Sequence, residues 1–178
     1  MTRPLPLALA LLIGCDLDDS DLSIQTAGSN DAMGWEVAGG FHVDYDSQSD
    51  VAVAAMYDDT VYFFSDITSG GTIDETSASG SFVGEPGGEA GWSMDTGPLV
   101  GTGVAGVLLQ DILIGAPVEE SGKGRVYALE GGTLDTTTNA TGYVTFVGEN
   151  DNDYAGWDVA VGDFNGDDLQ DVIIGATG

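Results

Sequence analysis

Nine residues in the last part of the chain, positions 163–171, carry oxygen-bearing side chains at a regular spacing. Side-chain oxygens stand at the first, third, fifth and ninth positions, and the seventh residue can offer its backbone carbonyl. The candidate ligands are Asp163, Asn165, Asp167, Leu169 and Asp171. Hard oxygen donors of this kind are what Ca²⁺ takes, in sets of about six to eight completed by water or a bidentate carboxylate. The segment is therefore predicted to be a calcium-binding loop; the alternative is an acidic turn without an ion.

Two earlier segments can be aligned with this loop. Counting back from an aspartate before an apolar run predicts a weaker calcium site with the ligands Asp44, Asp46, Gln48 (through its carbonyl) and Asp50. His42 stands at the first position, and we expect it to be a surface loop residue rather than a ligand. The matching positions before Asp111 carry no acid, so no ion is expected there.

The sequence on either side of the 163–171 loop predicts strands. An EF-hand needs a Glu at its twelfth position, where this chain has Ile174 in an apolar run. Short runs rich in β-branched and aromatic residues recur between clusters of Gly, Asp, Ser and Thr, which favours an all-β fold. The predicted strands include Val51–Val53, Thr60–Phe64, Ile112–Ile114, Arg125–Leu129, Tyr143–Val147 and Val172–Ile174.

An internal repeat organises these strands. Each of the three tryptophans, Trp35, Trp92 and Trp157, follows a glycine, and the run 110–116 returns almost unchanged as 170–176. A unit of about 60 residues with about four short antiparallel strands is typical of one blade of a β-propeller. Such blades bury a face only by stacking on their neighbours.

The repeated words resemble a known family. Ala155-Gly156-Trp157, the loop 163–171 and the run 172–176 together resemble the FG-GAP repeat of integrin α-subunits and many bacterial surface proteins. Gly115-Ala116-Pro117 supplies the "GAP" word in the second unit. The Gly-Trp pairs replace the Phe-Gly of the family, and Asp168 stands where the family often has Gly. The resemblance implies a β-propeller with Ca²⁺ in its loops and an extracellular protein or glycan partner.

The repeat predicts three units, at residues 31–81, 82–145 and 146–178, of which the last is incomplete. This amounts to about two and a half blades, whereas closed propellers have about four to eight. We therefore expect the sequence to be part of a longer protein, or else a short chain that assembles into a ring.

The N-terminal residues predict export. In residues 1–14, Arg3 precedes an apolar run that is too short to span a bilayer but suits a secretory leader. The run 12–15 resembles the lipobox of bacterial lipoproteins, which implies cleavage before Cys15, its lipidation and anchoring to a membrane. The alternative is an ordinary signal peptide with an incidental cysteine. Residues 15–30 are predicted to be an acidic tether, and the protein is expected in the bacterial cell envelope.

Charge and composition limit the function. The 30 acidic and 3 basic residues give a formal net charge of −27, which disfavours nucleic acid as a partner. The chain has one His and no nucleophile-elbow motif, so we expect binding rather than catalysis. The expected function is adhesion or recognition of a protein or glycan at the cell surface. The alternatives are a structural surface component without a specific ligand, or non-catalytic blades of a larger polysaccharide-active enzyme. Catalysis of glycoside hydrolysis by a pair of carboxylates is a further alternative, because the chain has many Asp and Glu residues.

Overall fold

The computed structural model describes residues 9–11, 22–25, 31–44, 46, 48–67, 71–99, 109–135, 137–139 and 144–178. Nearly all of its regular structure is β, as predicted. The strands are β1 (Leu9–Leu11), β2 (Leu22–Ile24), β3 (Met33–Phe41), β4 (Asp50–Ala55), β5 (Thr60–Phe64), β6 (Gly71–Ile73), β7 (Gly80–Val83), β8 (Ser93–Gly97), β9 (Asp111–Ala116), β10 (Arg125–Leu129), β11 (Thr137–Asn139), β12 (Val144–Val147), β13 (Asp158–Gly162) and β14 (Asp171–Gly175).

The helical elements are brief. Two 3₁₀ turns span Met56–Asp58 and Glu75–Ser77, and α1 spans Glu119–Gly122, with left-handed backbone at Glu120 and Ser121. In the part of the chain that the structure describes, no helix has the length and apolar character to cross a membrane.

Among the described residues, two of the four sheets are built like propeller blades. The first blade is the antiparallel meander β3-β4-β5-β7, to which β11 adds in parallel beside β7. The second blade is the antiparallel meander β8-β9-β10-β12. The remaining strands form the sheet β1-β2-β6 and the hairpin β13-β14. Blades of four antiparallel strands, as the repeat predicts, are therefore confirmed.

The two blades stack face to face around the main core. Phe41, Phe63 and Phe82 of the first blade meet Ile112, Ile114 and Tyr127 of the second, and all six are at most 1% exposed. Every residue of β9 is buried, because this strand has neighbours on both faces. A strand buried on both faces needs a continuous apolar run rather than alternation, which explains the sequence Ile112-Leu113-Ile114.

Smaller clusters extend the stack on both sides. On the far face of the second blade, Leu113 and Val126 pack against Val159 of β13. On the far face of the first blade, Ile24 of β2 packs with Met33, Val53 and Phe64. The molecule is thus a series of sheets: the small sheet β1-β2-β6, the first blade, the second blade and the hairpin β13-β14.

The three Gly-Trp pairs occupy equivalent turns. Trp35, Trp92 and Trp157 each donate a backbone hydrogen bond to the carbonyl three residues earlier, at 3.0, 3.1 and 3.1 Å. The glycine before each tryptophan has φ between 86° and 91°, a left-handed conformation that glycine adopts without strain. The indole rings stack in sequence, with centroids 5.1 Å apart for the first pair and 4.6 Å for the second. We call these residues the tryptophan ladder.

The structure moves two predicted boundaries. The recurring Phe-Val word was expected to open the second and third units, at residues 82 and 146. It lies instead in β7 and β12, the last strands of the preceding blades. The boundaries after 81 and 145 therefore cut through strands, because sequence recurrence defines the period of a repeat but not where one unit begins.

The predicted tether over residues 15–30 is wrong for residues 22–24. These residues form β2, which pairs with β1 and with β6. Ile24 is 1% exposed and belongs to the core on the far face of the first blade. The acidic composition of the segment concealed a short apolar strand. β1 lies within residues 1–14, the predicted leader, whereas Cys15 lies outside the described residues.

Candidate functional site

The 163–171 loop connects the two strands of an antiparallel hairpin, as predicted. β13 and β14 pair from Asp158 with Gly175 to Gly162 with Asp171, and the loop closes the end of this ladder. An EF-hand would require helices on both sides of the loop. The strand pairing therefore excludes that alternative for this segment.

Asp163 holds the loop closed from its first position. Its Oδ1 accepts hydrogen bonds from the backbone N–H groups of Gly166 and Asp167, at 2.7 and 3.1 Å, and its Oδ2 accepts from Asp168 N–H at 2.9 Å. These bonds lower the pKa of Asp163, and the bond from Asp168 has the largest effect. The carboxylate is therefore ionised at neutral pH, as a metal ligand must be.

The other side chains of the loop face one another. The Asn165 amide nitrogen lies 3.2 Å from Asp167 Oδ2 and 3.4 Å from Asp171 Oδ1. Asp167 Oδ1 also accepts from Leu169 N–H at 2.9 Å. The structure thus brings the predicted side-chain ligands at the third, fifth and ninth positions together, while the Leu169 side chain points outward and is 68% exposed.

The loop between β3 and β4 repeats this hydrogen-bond pattern. Three bonds have a counterpart at the same position of the nine-residue alignment. The bond from Asp46 N–H to Asp44 Oδ1 (3.0 Å) matches the bond from Asp167 N–H to Asn165 Oδ1 (2.9 Å). The bond from Gln48 N–H to Asp46 Oδ1 (2.7 Å) matches the bond from Leu169 N–H to Asp167 Oδ1 (2.9 Å). The bond from Val43 N–H to Asp50 Oδ2 (2.5 Å) matches the bond from Phe164 N–H to Asp171 Oδ2 (3.0 Å). At their described positions the two loops therefore share these three hydrogen bonds despite different sequences.

Asp66 belongs to the candidate site of the first loop, although the sequence did not indicate it. One carboxylate oxygen each of Asp44, Asp46 and Asp66 lie within 4.8 Å of one another, and this is the only such group of three among the described residues. Gln48 Nε2 donates to Asp46 Oδ2 at 3.0 Å and to Asp66 Oδ1 at 2.8 Å. Asp66 follows β5, so the nine-residue spacing gave no signal for it.

The protonation of the first loop follows from these contacts. The pKa of Asp46 is lowered, chiefly by the backbone and side-chain hydrogen bonds from Gln48. The pKa of Asp50 is raised by burial, which its bond from Val43 N–H partly offsets. Among the predicted ligands of this loop, Asp46 therefore ionises more readily than a free aspartate, and Asp50 ionises less readily.

His42 does not lie on the surface, and that expectation is wrong. The residue is 8% exposed, and its Nδ1 accepts a hydrogen bond from Gln110 N–H at 3.3 Å. Its carbonyl accepts from Gly132 N–H. His42 therefore packs toward the second blade, where its imidazole accepts a hydrogen bond from a backbone N–H group instead of from water.

The aligned segment of the second blade differs from both loops. Of its positions, only Leu109 lies within the described residues, and it is 5% exposed. Asp111 is 2% exposed, and its Oδ1 accepts from Gly131 N–H at 2.9 Å. Asp111, which is equivalent in position to the last aspartate of the other two loops, therefore supports the turn after β10 instead.

Comparisons with known proteins agree with this geometry. A search of curated protein sequences gave no match. A scan against family models matched the FG-GAP repeat at residues 155–178, a segment that contains Trp157, the 163–171 loop and β14. The hairpin that carries the candidate site is therefore an FG-GAP repeat, within a chain of stacked propeller-type blades.

Proposed function

We propose that this protein is a calcium-binding β-propeller of the cell surface that recognises a protein or glycan and does not catalyse a reaction. The observation that carries the calcium proposal is the set of three matched hydrogen bonds that the two acidic loops share at their described positions. Three matched hydrogen bonds, each from a backbone N–H to a side-chain oxygen, tie the same positions in both loops.

The donor set suits Ca²⁺ rather than a softer metal. The 163–171 loop offers carboxylate, amide and carbonyl oxygens, with neither Cys nor His among its residues. Asp163, Asn165, Asp167 and Asp171 would hold the ion through side chains, and Leu169 through its carbonyl. Asp44, Asp46, Gln48 and Asp50 would hold a second ion, with Asp66 as an added ligand.

Electrostatics give the ion a structural role. Two unit charges about 4 Å apart interact by about 1 kcal/mol in water and more near a protein surface. Four aspartates close one hairpin loop, at positions 163, 167, 168 and 171, in a chain of net charge −27. A bound Ca²⁺ would turn this repulsion into attraction and stiffen the hairpin.

A thermal melt tests the calcium proposal. A ligand at about 100 times its Kd stabilises the folded state by about 2.7 kcal/mol, or roughly 5–10 °C in Tm for a chain of this size. We expect Ca²⁺ to raise the Tm by that order relative to chelator. D163N and D167N should reduce the shift, whereas D58N, at an exposed aspartate outside both loops, should preserve it. Equal melting temperatures with Ca²⁺ and with chelator would remove the proposal.

We also propose that Cys15 carries the lipid that anchors the protein to the envelope. The support is the leader-like apolar run before it and the lipobox-like run 12–15 that ends in this cysteine. Expressed in a bacterium, the protein should partition into the detergent phase and show an acylated Cys15 by mass spectrometry. C15S should partition into the aqueous phase. An unmodified Cys15 in the mature protein would contradict the anchor.

Recognition is proposed from the architecture. A rigid stack of blades presents its connecting loops as a binding surface, and folds of this kind host binding sites in their loops. Binding to a glycan array or capture of an envelope protein, lost on Ca²⁺ removal, would support this role. Turnover of a polysaccharide would contradict it.

A further inference from the structure

The tip of the β13-β14 hairpin places an amide side chain beside a reactive backbone position. Asn165 is followed by Gly166, and no other asparagine of the sequence precedes a glycine. The backbone nitrogen that follows an asparagine can attack the Cγ atom of that side chain. A following glycine leaves this nitrogen uncrowded, because glycine has no Cβ. Both residues are exposed, so water reaches them.

The Asn165 side chain is folded back toward this nitrogen. Its Oδ1 accepts a hydrogen bond from Asp167 N–H at 2.9 Å, which closes a turn around the peptide group between residues 165 and 166. Gly166 has a φ of 81°, and a Cβ built there would have no neighbour from the rest of the described chain within 4 Å. The Asn165 side chain and the Gly166 nitrogen therefore have room to form a ring.

A proton acceptor lies at the same nitrogen. The Oδ1 atom of Asp163 accepts the hydrogen bond of Gly166 N–H at 2.7 Å. The nitrogen must lose this proton if it is to act as a nucleophile. The group that would leave, the Asn165 amide nitrogen, lies 3.2 Å from Asp167 Oδ2. The loop thus holds the nucleophile, its proton acceptor and the leaving group together.

We propose that Asn165 converts itself to aspartate and isoaspartate without an enzyme, and that bound Ca²⁺ suppresses this conversion. The Gly166 nitrogen forms a bond to Asn165 Cγ, and the Cγ–Nδ2 bond breaks. The proton of Gly166 N–H passes through Asp163 to Nδ2, so ammonia leaves and a succinimide ring remains.

Water then opens the succinimide ring. Its hydroxyl adds to one of the two ring carbonyl carbons, and its other hydrogen returns to the Gly166 nitrogen. Breaking the bond between this nitrogen and Cγ gives aspartate at position 165. Breaking the bond between this nitrogen and the backbone carbonyl carbon gives isoaspartate. Both products carry a carboxylate where the chain had a neutral amide.

Calcium opposes ring closure because it holds the amide oxygen; this part of the inference rests on the proposed function, in which Asn165 is a ligand. Ring closure brings Cγ to bonding distance from the Gly166 nitrogen and draws Oδ1 away from the ion. The reaction then proceeds from the ion-free fraction of the protein. At about 100 times the Kd, this fraction is about 1%.

The two products differ in whether the loop accepts them. The first loop has Asp44 at the equivalent position, where its Oδ1 accepts from Asp46 N–H at 3.0 Å as Asn165 Oδ1 accepts from Asp167 N–H. Aspartate therefore fits the loop. Isoaspartate adds a methylene group to the backbone before Gly166, which displaces the N–H groups that Asp163 binds.

Peptide mapping by mass spectrometry of the full-length chain tests the proposal. In mildly alkaline buffer with chelator, position 165 should gain about 1 Da and give both products. Asn150 and Asn152 are also exposed but precede aspartates, so they should remain asparagine. Ca²⁺ at about 100 times its Kd should slow the conversion at least about tenfold.

The matched variant is Gly166→Asn. Asparagine tolerates the left-handed backbone of position 166, and its Cβ has open space there. The variant should keep the circular dichroism spectrum of the original chain. Its Asn165 should nevertheless react much more slowly with chelator, because the Cβ of residue 166 crowds the nitrogen.

Two results would overturn the inference. If Asn165 reacted no faster than Asn150 and Asn152 in the presence of chelator, the conversion would be refuted, whatever Ca²⁺ does to the Tm. If Ca²⁺ left the conversion rate unchanged, protection by the ion would be refuted. A Tm that still rose with Ca²⁺ would then leave the calcium proposal standing, whereas an unchanged Tm would remove both.

Discussion

At the scale of single residues, the sequence gives the spacing of the oxygen-bearing side chains, and the structure places Asn165, Asp167 and Asp171 close to one another. Asp163, Asn165 and Asp167 alternate, and a tight loop between strands turns alternate side chains to one side. Asp66 had no such signal, because it reaches the first loop from the end of β5 through Gln48. His42 was misplaced because polarity alone suggested the surface, while a backbone N–H of the second blade was its partner.

The buried acidic residue Glu119 contacts both blades, and its pKa is shifted from the ordinary value. It is 2% exposed and accepts from Tyr127 O–H at 2.5 Å and from Glu85 N–H at 3.0 Å, with Arg125 Nε at 3.5 Å. Glu85 begins the connection between the blades, so this carboxyl joins both. Burial raises the pKa of Glu119 above its ordinary value, and the hydrogen bonds and Arg125 offset part of that rise.

The raised pKa gives a prediction for pH. The folded state binds the proton of Glu119 more tightly than the unfolded state, so this residue's contribution to the free energy of unfolding is greatest below about pH 4.3 and declines as the pH rises. Relative to wild type, E119Q should therefore gain stability between about pH 4 and pH 7. Urea unfolding at several pH values measures the free energy of unfolding of both proteins. If wild type became more stable relative to E119Q as the pH rose, the raised pKa of Glu119 would be refuted.

At the scale of elements, the strands followed from β-branched and aromatic runs, and the recurring glycines followed from the turns that need them. Gly91 has a φ of 88°, and a Cβ there would lie 2.6 Å from Ala54 Cβ, so the Gly-Trp turn requires glycine. The stacking of the three indoles was not predicted. Spacing along the chain indicates equivalent positions, but whether equivalent side chains touch depends on the distance between stacked blades.

The tryptophan ladder predicts unequal effects of substitution. Trp92 packs between Trp35 and Trp157, and its backbone carbonyl accepts from Trp35 Nε1–H at 3.1 Å. W92A should lower the free energy of unfolding by about 2–3 kcal/mol, less than the roughly 3–5 kcal/mol usual for a fully buried Trp, because Trp92 is only partly buried. W35A should cost less, because Trp35 is 46% exposed and has one ring neighbour in the ladder. Urea denaturation compares the two, and equal losses would show that stacking contributes little.

At the scale of the whole molecule, the repeat predicted the blades, and long-range pairing supplied what the sequence did not indicate. β11 adds to the first blade although residues 137–139 follow the second blade's third strand, and it pairs in parallel with β7. β2 and β6 also pair in parallel across the first blade's sequence. Parallel pairing between distant segments leaves no local turn signal, so composition and periodicity do not reveal it.

We propose above that calcium in the 163–171 loop fixes a hairpin of a stacked-blade protein. The most direct measurement is the anomalous difference density of crystals grown with Ca²⁺. We expect a peak between the side chains of Asp163, Asn165, Asp167 and Asp171, with oxygen ligands at about 2.3–2.6 Å. Well-ordered side chains in this loop without a peak, at millimolar Ca²⁺, would contradict it.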